Sequence, residues 1–434
     1  MSAHLQQFSK MMDFQRFTPN QLIHLLSCDY PVDCTESQVL ETVLSWLQHN
    51  SSEREKYCHK LLSFINWSEV PKSLIERTCS IMKTGTNTLV SQVSTSESQV
   101  SITPPGIVNS RGLELAVVKV GGFNISGITN EITYYLPSVG KWRHLTTIPH
   151  VEQCNFGTTV LDNELYVIGG CFNQSLQENI HPFGFKYNPQ QNKWSTISPM
   201  QRERCRFTLS VVGNRLYAIG GSSETPEGMG VTLDFTSFGE VYDSVTDTWT
   251  NITDLPGARA QHAATTLESL IFVTGGLAAD HVLSNCRGYD TMTDTWEYHS
   301  PLLTPRADHL CFTFNGEIYV CGGWYDDENV GGRVLADTIE CYDISTKVWR
   351  VVARIPTPRI HAGIVVVGSR LYIIGGFNSD DIFDRATGVI ECFDLDKLIW
   401  TTQTSYPQDI WEHVCIPLYI PRYRDDMDVL SLTR

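Results

Sequence analysis

The sequence predicts an all-β fold, a six-bladed β-propeller preceded by a small α-helical domain. Three observations predict it: six double glycines that each close an apolar run, six tryptophans that each follow an aromatic residue at a distance of seven, and helical apolar spacing in the first 85 residues. A repeat of roughly fifty residues is long enough for one complete supersecondary unit, and such units bury their apolar faces by stacking on their neighbours.

The chain opens with helices. "TPNQLIHLL" starts on Thr18, Pro19 and Gln21, which are an N-cap, a first-turn proline and a capping-box partner. "TESQVLETVLSWL" repeats the device at Thr35 and Gln38, then places Val39, Val43, Trp46 and Leu47 on one helical face. Two more helical patterns follow, around "EREKYCHKLLSFI" and "PKSLIERTCSIM", so residues 1–83 read as one helical domain. Residues 84–110 lose periodicity, fill with Ser and Thr and carry Pro104-Pro105 near their end; they read as a linker.

From residue 111 the period changes. The glycine pairs are Gly121-Gly122, Gly169-Gly170, Gly220-Gly221, Gly275-Gly276, Gly322-Gly323 and Gly375-Gly376, at intervals of 48, 51, 55, 47 and 53 residues. The aromatic pairs are Tyr135 with Trp142, Tyr187 with Trp194, Tyr242 with Trp249, Tyr289 with Trp296, Tyr342 with Trp349 and Phe393 with Trp400. "RFTLSVVGNRLYAIGG" reads as a strand over Phe207–Val212, a turn at Gly213-Asn214, and a second strand over Leu216–Ile219 that ends on the glycines. The Tyr lies on a third strand and the Trp opens a fourth. The turn between them is rich in Asp, Ser, Thr, Asn and Pro, residues suited to tight turns. An invariable spacing of seven implies a tight hairpin, because one inserted residue would turn every later side chain to the wrong face. The glycines allow a backbone geometry or close approach that a side chain would block. Four strands per unit, six times over, suit blades around an axis. The first unit lacks a first strand, and the apolar segment His413–Pro421 has no unit after it. The C-terminal segment is therefore expected to complete blade 1, giving a propeller over 111–421 and a tail over 422–434.

Composition removes other classes. A net charge of −16 opposes non-specific attraction to nucleic acid or anionic membrane, so neither is expected as a partner. No run has signal-peptide character or the ~20 apolar residues of a membrane span, and a cytoplasmic protein is expected. Thirteen cysteines without a C-x-x-C signal neither a disulfide framework nor zinc, and Cys171, Cys311, Cys321 and Cys341 read as small buried thiols. There is no G-x-x-x-x-G-K-[ST], H-E-x-x-H or G-x-S-x-G, so no enzyme, cofactor or metal is expected. His262, His309 and His361 sit at strand starts, where hydrogen bonding to a neighbouring blade accounts for them.

The double glycine after an apolar strand, with Tyr and Trp at this spacing, resembles the signature of Kelch repeats, and six copies in register imply a Kelch propeller. The helical segment, with "SEVPKSLI" and "ESQVLETVLSWLQHN", resembles the BACK domain of the Kelch-like family. In that family a BTB domain precedes BACK and, with the start of BACK, holds a cullin-3 scaffold, while the propeller holds a substrate for ubiquitin transfer. This chain starts partway into what resembles BACK and has no BTB domain. The resemblance implies a non-catalytic protein-binding module, a substrate-recognition adaptor of a cullin-3 RING E3 ubiquitin ligase. Cullin-3 is expected as a partner only of a longer form that carries a BTB domain. The alternative is a scaffold that binds actin or another cytoskeletal protein.

The expected working face is formed by the connections from each fourth strand to the next first strand, together with the second-to-third strand loops. Arg204, Arg259, Arg306 and Arg359 each stand thirteen residues before the aromatic of the following second strand, and Gln153 holds the equivalent place in blade 2. The resemblance implies that such arginines face a central pocket for a protein or peptide substrate, where guanidinium groups make charge-assisted contacts. The other reading of a repeated arginine is a brace on loop carbonyls. Trp324 and Tyr325 are expected as aromatic anchors, whereas Phe172 and Phe377 read as packed on their own blade; Phe383 lies in a further loop. Asp326, Asp327, Glu328, Asp380, Asp381 and Asp384 read first as solvated loop charge, the other reading being a site for a basic ligand or a cation.

Overall fold

The computed structural model describes residues 5–27, 31–32, 34–81, 106–174, 177–227, 230–279, 281–327, 331–379, 384–402 and 405–422. Its described residues fall into two compact units, one of 5–114 with 419–422 and one of 115–418. Among the described residues no helix is long and apolar enough to cross a membrane.

The first unit is helical. Glu36–His49 is its longest helix, and it starts on the expected capping box: the Thr35 hydroxyl accepts from Gln38 N–H while the Gln38 side chain accepts from Thr35 N–H. Thr18 and Gln21 exchange the same pair of bonds ahead of Pro19–Ser27. Val39, Val43, Trp46 and Leu47 are all buried, as their spacing requires. Residues 84–105 of the expected linker lie outside the described residues, but its last stretch is anchored in this unit. Asn109 is buried and donates to Cys34 O and to Glu36 Oε2, both at 3.0 Å. Arg111 grips the same buried carboxylate from Nε at 2.8 Å and Nη2 at 2.5 Å. A buried carboxylate needs such a partner, since an unpaired one costs several kcal/mol.

The second unit is the propeller. Six four-stranded antiparallel sheets follow one another, and in blade 1 the strand Val414–Pro421 pairs with Leu113–Val120, so the C-terminal strand does supply the first strand of that blade. The first strands of successive blades, such as Gly157–Leu161, Thr208–Val212, Ala263–Leu267 and Leu310–Phe314, neighbour one another around the axis. In all six blades the aromatic residue is the direct cross-strand partner of the tryptophan seven positions later. Their rings sit 4.9–5.5 Å apart. Each hairpin closes through a left-handed residue five positions after the aromatic: Gly140, Asn192, Asp247, Asp294, Lys347 and Leu398. That geometry explains why "YDSVTDTW" and "YDTMTDTW" are nearly the same phrase. Asp247 accepts from its own Tyr242 hydroxyl at 2.7 Å and from Ser198 N–H of the preceding blade at 2.9 Å, and Asp294 repeats both bonds with Tyr289 and Thr253. Trp249 Nε1 and Trp296 Nε1 donate to Ser198 O and Thr253 O. The motif therefore builds a hairpin and fastens it to the blade before.

Candidate partner-binding site at the propeller mouth

Two connections of every blade meet on one face. The segment leading into each first strand bridges the residue after the glycine pair, at Phe123 with Trp411, Cys154 with Cys171, Cys205 with Ser222, Ala260 with Leu277, Ala307 with Trp324, and Ile360 with Phe377. The second glycine must be bare for this. A Cβ on Gly323 would stand 2.5 Å from Ala307 O, and one on Gly221 would stand 2.5 Å from Cys205 O, both at φ values that side chains avoid.

The four arginines in register do not face a partner. Arg204, Arg259, Arg306 and Arg359 are 1, 1, 0 and 6% exposed. Arg306 donates from Nη1 to Gly322 O at 2.9 Å and from Nη2 to Glu340 Oε1 at 2.5 Å. Arg359 repeats this with Gly375 O and Glu391, and Arg204 pairs with Glu240 at 2.5 Å. The backbone carbonyls of Arg204, Arg259 and Arg306 accept from Gly170, Gly221 and Gly276 of the preceding blade. Each of these arginines thus clamps its own glycine pair with its side chain and the neighbour's with its backbone. This corrects the receptor expectation: guanidinium groups buried inside the blades and turned to carbonyls, and in Arg204, Arg306 and Arg359 to a glutamate, present no accessible donor to a ligand. Gln153 is equally buried, with its Oε1 2.8 Å from His181 Nε2.

Blade 4 departs from the pattern. Where blades 3, 5 and 6 carry Glu240, Glu340 and Glu391 two residues before the aromatic, blade 4 carries Arg287. Arg259 turns instead to Gly275 O and Asn285 Oδ1. Burial, followed by the charge of Arg287, lowers the Arg259 pKa to about 10.

The side chains that do open onto the axis lie two positions further along. Asn155, Arg206, Gln261, Asp308, His361 and Glu412, one per blade, all adopt left-handed backbone with φ of 50–56°. Such a conformation costs a residue with a side chain about 1–2 kcal/mol. It persists because the residues are tied to their neighbours in two runs: Arg206 N–H donates to Asn155 O, Gln261 N–H to Arg206 O and Asp308 N–H to Gln261 O, and Glu412 N–H donates to His361 O, at 2.9–3.1 Å. They line a cavity of about 490 Å³. Strained backbone held by its surroundings gathers at ligand-binding positions.

The mouth is charged on both signs. His361 Nδ1 lies 3.9 Å from Asp308 Oδ2, and its Nε2 lies 4.0 Å from Glu412 Oε1. Asp308 Oδ2 accepts from Gln261 Nε2 and Trp324 Nε1, each at 2.9 Å. Desolvation outweighs those donors and raises the Asp308 pKa to about 6. Burial also raises that of Glu412. His262 and His309 line the same cavity but reach Ile219 O and Thr274 Oγ1 of the preceding blade, the expected structural use, whereas His361 lies beside Asp308 and Glu412.

Trp324 is half-buried and supports Asp308, and Tyr325 follows it on the same hairpin. Phe377 packs on Trp411, and Phe172 on His150 and His181. Phe383, Glu328, Asp380 and Asp381 lie outside the described residues, as does the side chain of Asp384. Among the described residues no group of three or more His, Cys, Asp or Glu is placed to hold a metal. The mouth residues did leave a trace in the sequence. "RCRF", "RAQH", "RADH" and "RIHA" put a variable polar or charged letter two places after each registered arginine. Variation inside a fixed frame was the signal, and the fixed letter drew attention away from it.

Comparison with known proteins gives the same layout. Residues 1–80 match the family described as BTB And C-terminal Kelch, residues 154–201 the Kelch motif, and residues 206–416 the KLHDC2/KLHL20/DRC7 Kelch-repeats domain. Kelch-like protein 26 of Danio rerio is 26% identical over 96% of this chain and 69% of its own length; the Homo sapiens protein of that name is 29% identical over 96% and 68%. Kelch-like ECH-associated protein 1A of Danio rerio is 26% identical over 51% of this chain and 37% of its own. The solved structure of YjhT shares the fold, with a TM-score of 0.51 at 16% identity, covering 66% of this chain and 96% of that one.

Proposed function

Since the chain belongs to the Kelch-like family, with a BACK domain followed by Kelch repeats, we propose that it is a non-catalytic cytoplasmic adaptor that recognises a substrate protein for a cullin-3 RING E3 ubiquitin ligase. The partner docks at the propeller mouth. The observation that carries this reading is the series of six left-handed residues with polar and charged side chains around one cavity. A fold that only needed to be stable would gain by replacing them with glycine, asparagine or a relaxed turn. Trp324, whose indole donates to Asp308, and Tyr325, next on the same hairpin, serve in this reading as aromatic anchors. Cullin-3 recruitment belongs to a longer form with a BTB domain.

The test uses Arg206→Glu and Glu412→Lys. A partner recovered by the wild-type chain from cell extract is purified and its binding measured directly. Each charge reversal should weaken binding at least tenfold, since a charged hydrogen bond contributes roughly 1.5–3 kcal/mol, while the melting temperature stays within a few degrees. Unchanged affinity in both variants would reject the mouth as the site. Cullin-3 that fails to co-purify with a BTB-bearing form would reject the ligase role, and co-sedimentation with actin filaments would favour a cytoskeletal scaffold.

A further inference from the structure

We propose that Cys154 and Cys171 form a modification site, a dithiol that hydroperoxide oxidises to a disulfide joining two loops at the propeller mouth. The same backbone bridge recurs in all six blades, and only in blade 2 do both of its residues carry thiols. Cys154 N–H donates to Cys171 O and Cys171 N–H to Cys154 O, both at 2.9 Å. Reciprocal bonding of this kind sets the two Cα atoms about 5.5 Å apart, inside the range a disulfide spans. The sulfurs already lie 3.6 Å apart, so closing to a bond length of about 2.05 Å needs side-chain adjustment and no movement of the strands.

The surroundings favour a thiolate. Asn155 Nδ2 lies 3.5 Å from Cys154 Sγ and 3.7 Å from Cys171 Sγ and donates toward both. Contacts from Cys154, then Cys205 and Asn155, together with the positive field of Arg206, hold the Cys171 thiol well below its usual range. Both residues are buried, at 8 and 2% exposed, which favours a small neutral oxidant such as hydrogen peroxide over a bulky thiol such as glutathione. The Cys171 thiolate attacks one peroxide oxygen, the O–O bond breaks, and Cys171 becomes a sulfenic acid as the other oxygen leaves as water after taking a proton. Cys154, as thiolate, then attacks that sulfur; the S–S bond forms and the sulfenic oxygen departs as a second water. Two thiols have lost two protons and two electrons, and one peroxide has become two waters.

The product joins the segment leading into Gly157–Leu161 to the strand Cys171–Gln174 and consumes the two thiols that Asn155 contacts. Asn155 is a mouth residue, so oxidation acts next to the cavity. The modification stands on the thiol geometry and does not depend on the function proposed above.

Trypsin makes the test direct, because residues 144–186 form one peptide that holds these two cysteines and no other, while Cys205 falls in a different one. The full chain is treated with hydrogen peroxide, unfolded in denaturant so that every remaining thiol is reached, alkylated and digested. The expected result is a 144–186 peptide lighter by two hydrogens and free of alkyl groups, reversed by dithiothreitol and absent from Cys154→Ser and Cys171→Ser. The proposal is overturned if that peptide keeps two alkylated thiols, if it is found joined to the Cys205 peptide, or if Cys171 stops at sulfinic acid without a bridge. Should either serine variant fail to fold, the mass of the wild-type peptide still decides.

Discussion

A guanidinium buried inside a blade is stable when an anion and carbonyls satisfy it, and removing one side of such a pair leaves the other exposed to a low dielectric. Arg306 has Glu340, whereas Arg259 has no carboxylate beside it among the described residues, so the two should respond differently to the same truncation. Arg306→Ala is expected to cost about 3–5 kcal/mol, because Glu340 is left buried and alone. Arg259→Ala should cost less, since it strands only carbonyl oxygens and relieves the repulsion with Arg287. Urea unfolding of the two variants checks this, and equal losses would contradict it. Asp308 supplies a second test at this scale. Its folded pKa of about 6 lies above that of an unfolded aspartate, about 3.9. Between those values the folded protein keeps a proton that the unfolded chain has released. This group's contribution to stability is therefore full below about pH 4 and is lost as pH rises through 6. The Trp324 indole, which donates to Asp308, should report the titration. The fluorescence difference between wild type and Trp324→Phe should change with a midpoint near pH 6 and stay flat in Asp308→Asn.

Among the elements, the Tyr–Trp hairpin does the most with the fewest residues. Its register comes from local turn chemistry, and its fourth strand reaches the blade before through the tryptophan indole and the turn aspartate. Donation from Ser198 N–H, then from the Tyr242 hydroxyl, holds the Asp247 pKa below its usual range. Asp247→Ala should cost about 1–2 kcal/mol, the value of three lost hydrogen bonds partly replaced by water, with Asp247→Asn recovering part of it. Trp249→Ala should cost about 3–5 kcal/mol, because it empties a buried site as well as breaking a bond. If the tryptophan change proved as mild as the aspartate change, packing between blades would not be the motif's purpose. The helical unit was legible in the same way, since a capping box and a run of apolar residues on one face involve neighbours within four positions of each other. The end of the expected linker and the first residue of the expected propeller were not, because Asn109 and Arg111 find Glu36 more than seventy residues back.

Across the whole molecule, closure is the property that no single repeat contains. Blade 1 is made from both ends of the propeller sequence, and the strand Val414–Pro421 covers an edge that would otherwise present unpaired backbone groups. A chain truncated after Ile410 is expected to aggregate and to lose cooperative melting, as measured by light scattering and calorimetry. A soluble monomer that melted like the parent would refute the closure. The mouth also exists only in the closed molecule, because its six residues come from six blades, with backbone bonds joining Asn155, Arg206, Gln261 and Asp308 in one run and His361 and Glu412 in another.

By itself the sequence determined what local physics controls: six repeats, the hairpin register of each, the bare glycine pairs, the capped helices and the need for a strand from the C-terminal end. Each depends on residues close together in the chain or on a period that survives counting. Only the tertiary structure decided which recurring side chain works. The registered arginines carry the charge that suits a binding site, yet their partners Glu240, Glu340 and Glu391 lie 32–36 residues away and draw them into the blade. The residues two places on look irregular in the sequence, and a left-handed backbone turns them toward the axis. The distance from Cys154 to Cys171 likewise depends on a strand-to-loop bridge seventeen residues long, which spacing does not encode. Burial and direction are collective properties of packed elements, and they set the roles of residues whose types alone are ambiguous.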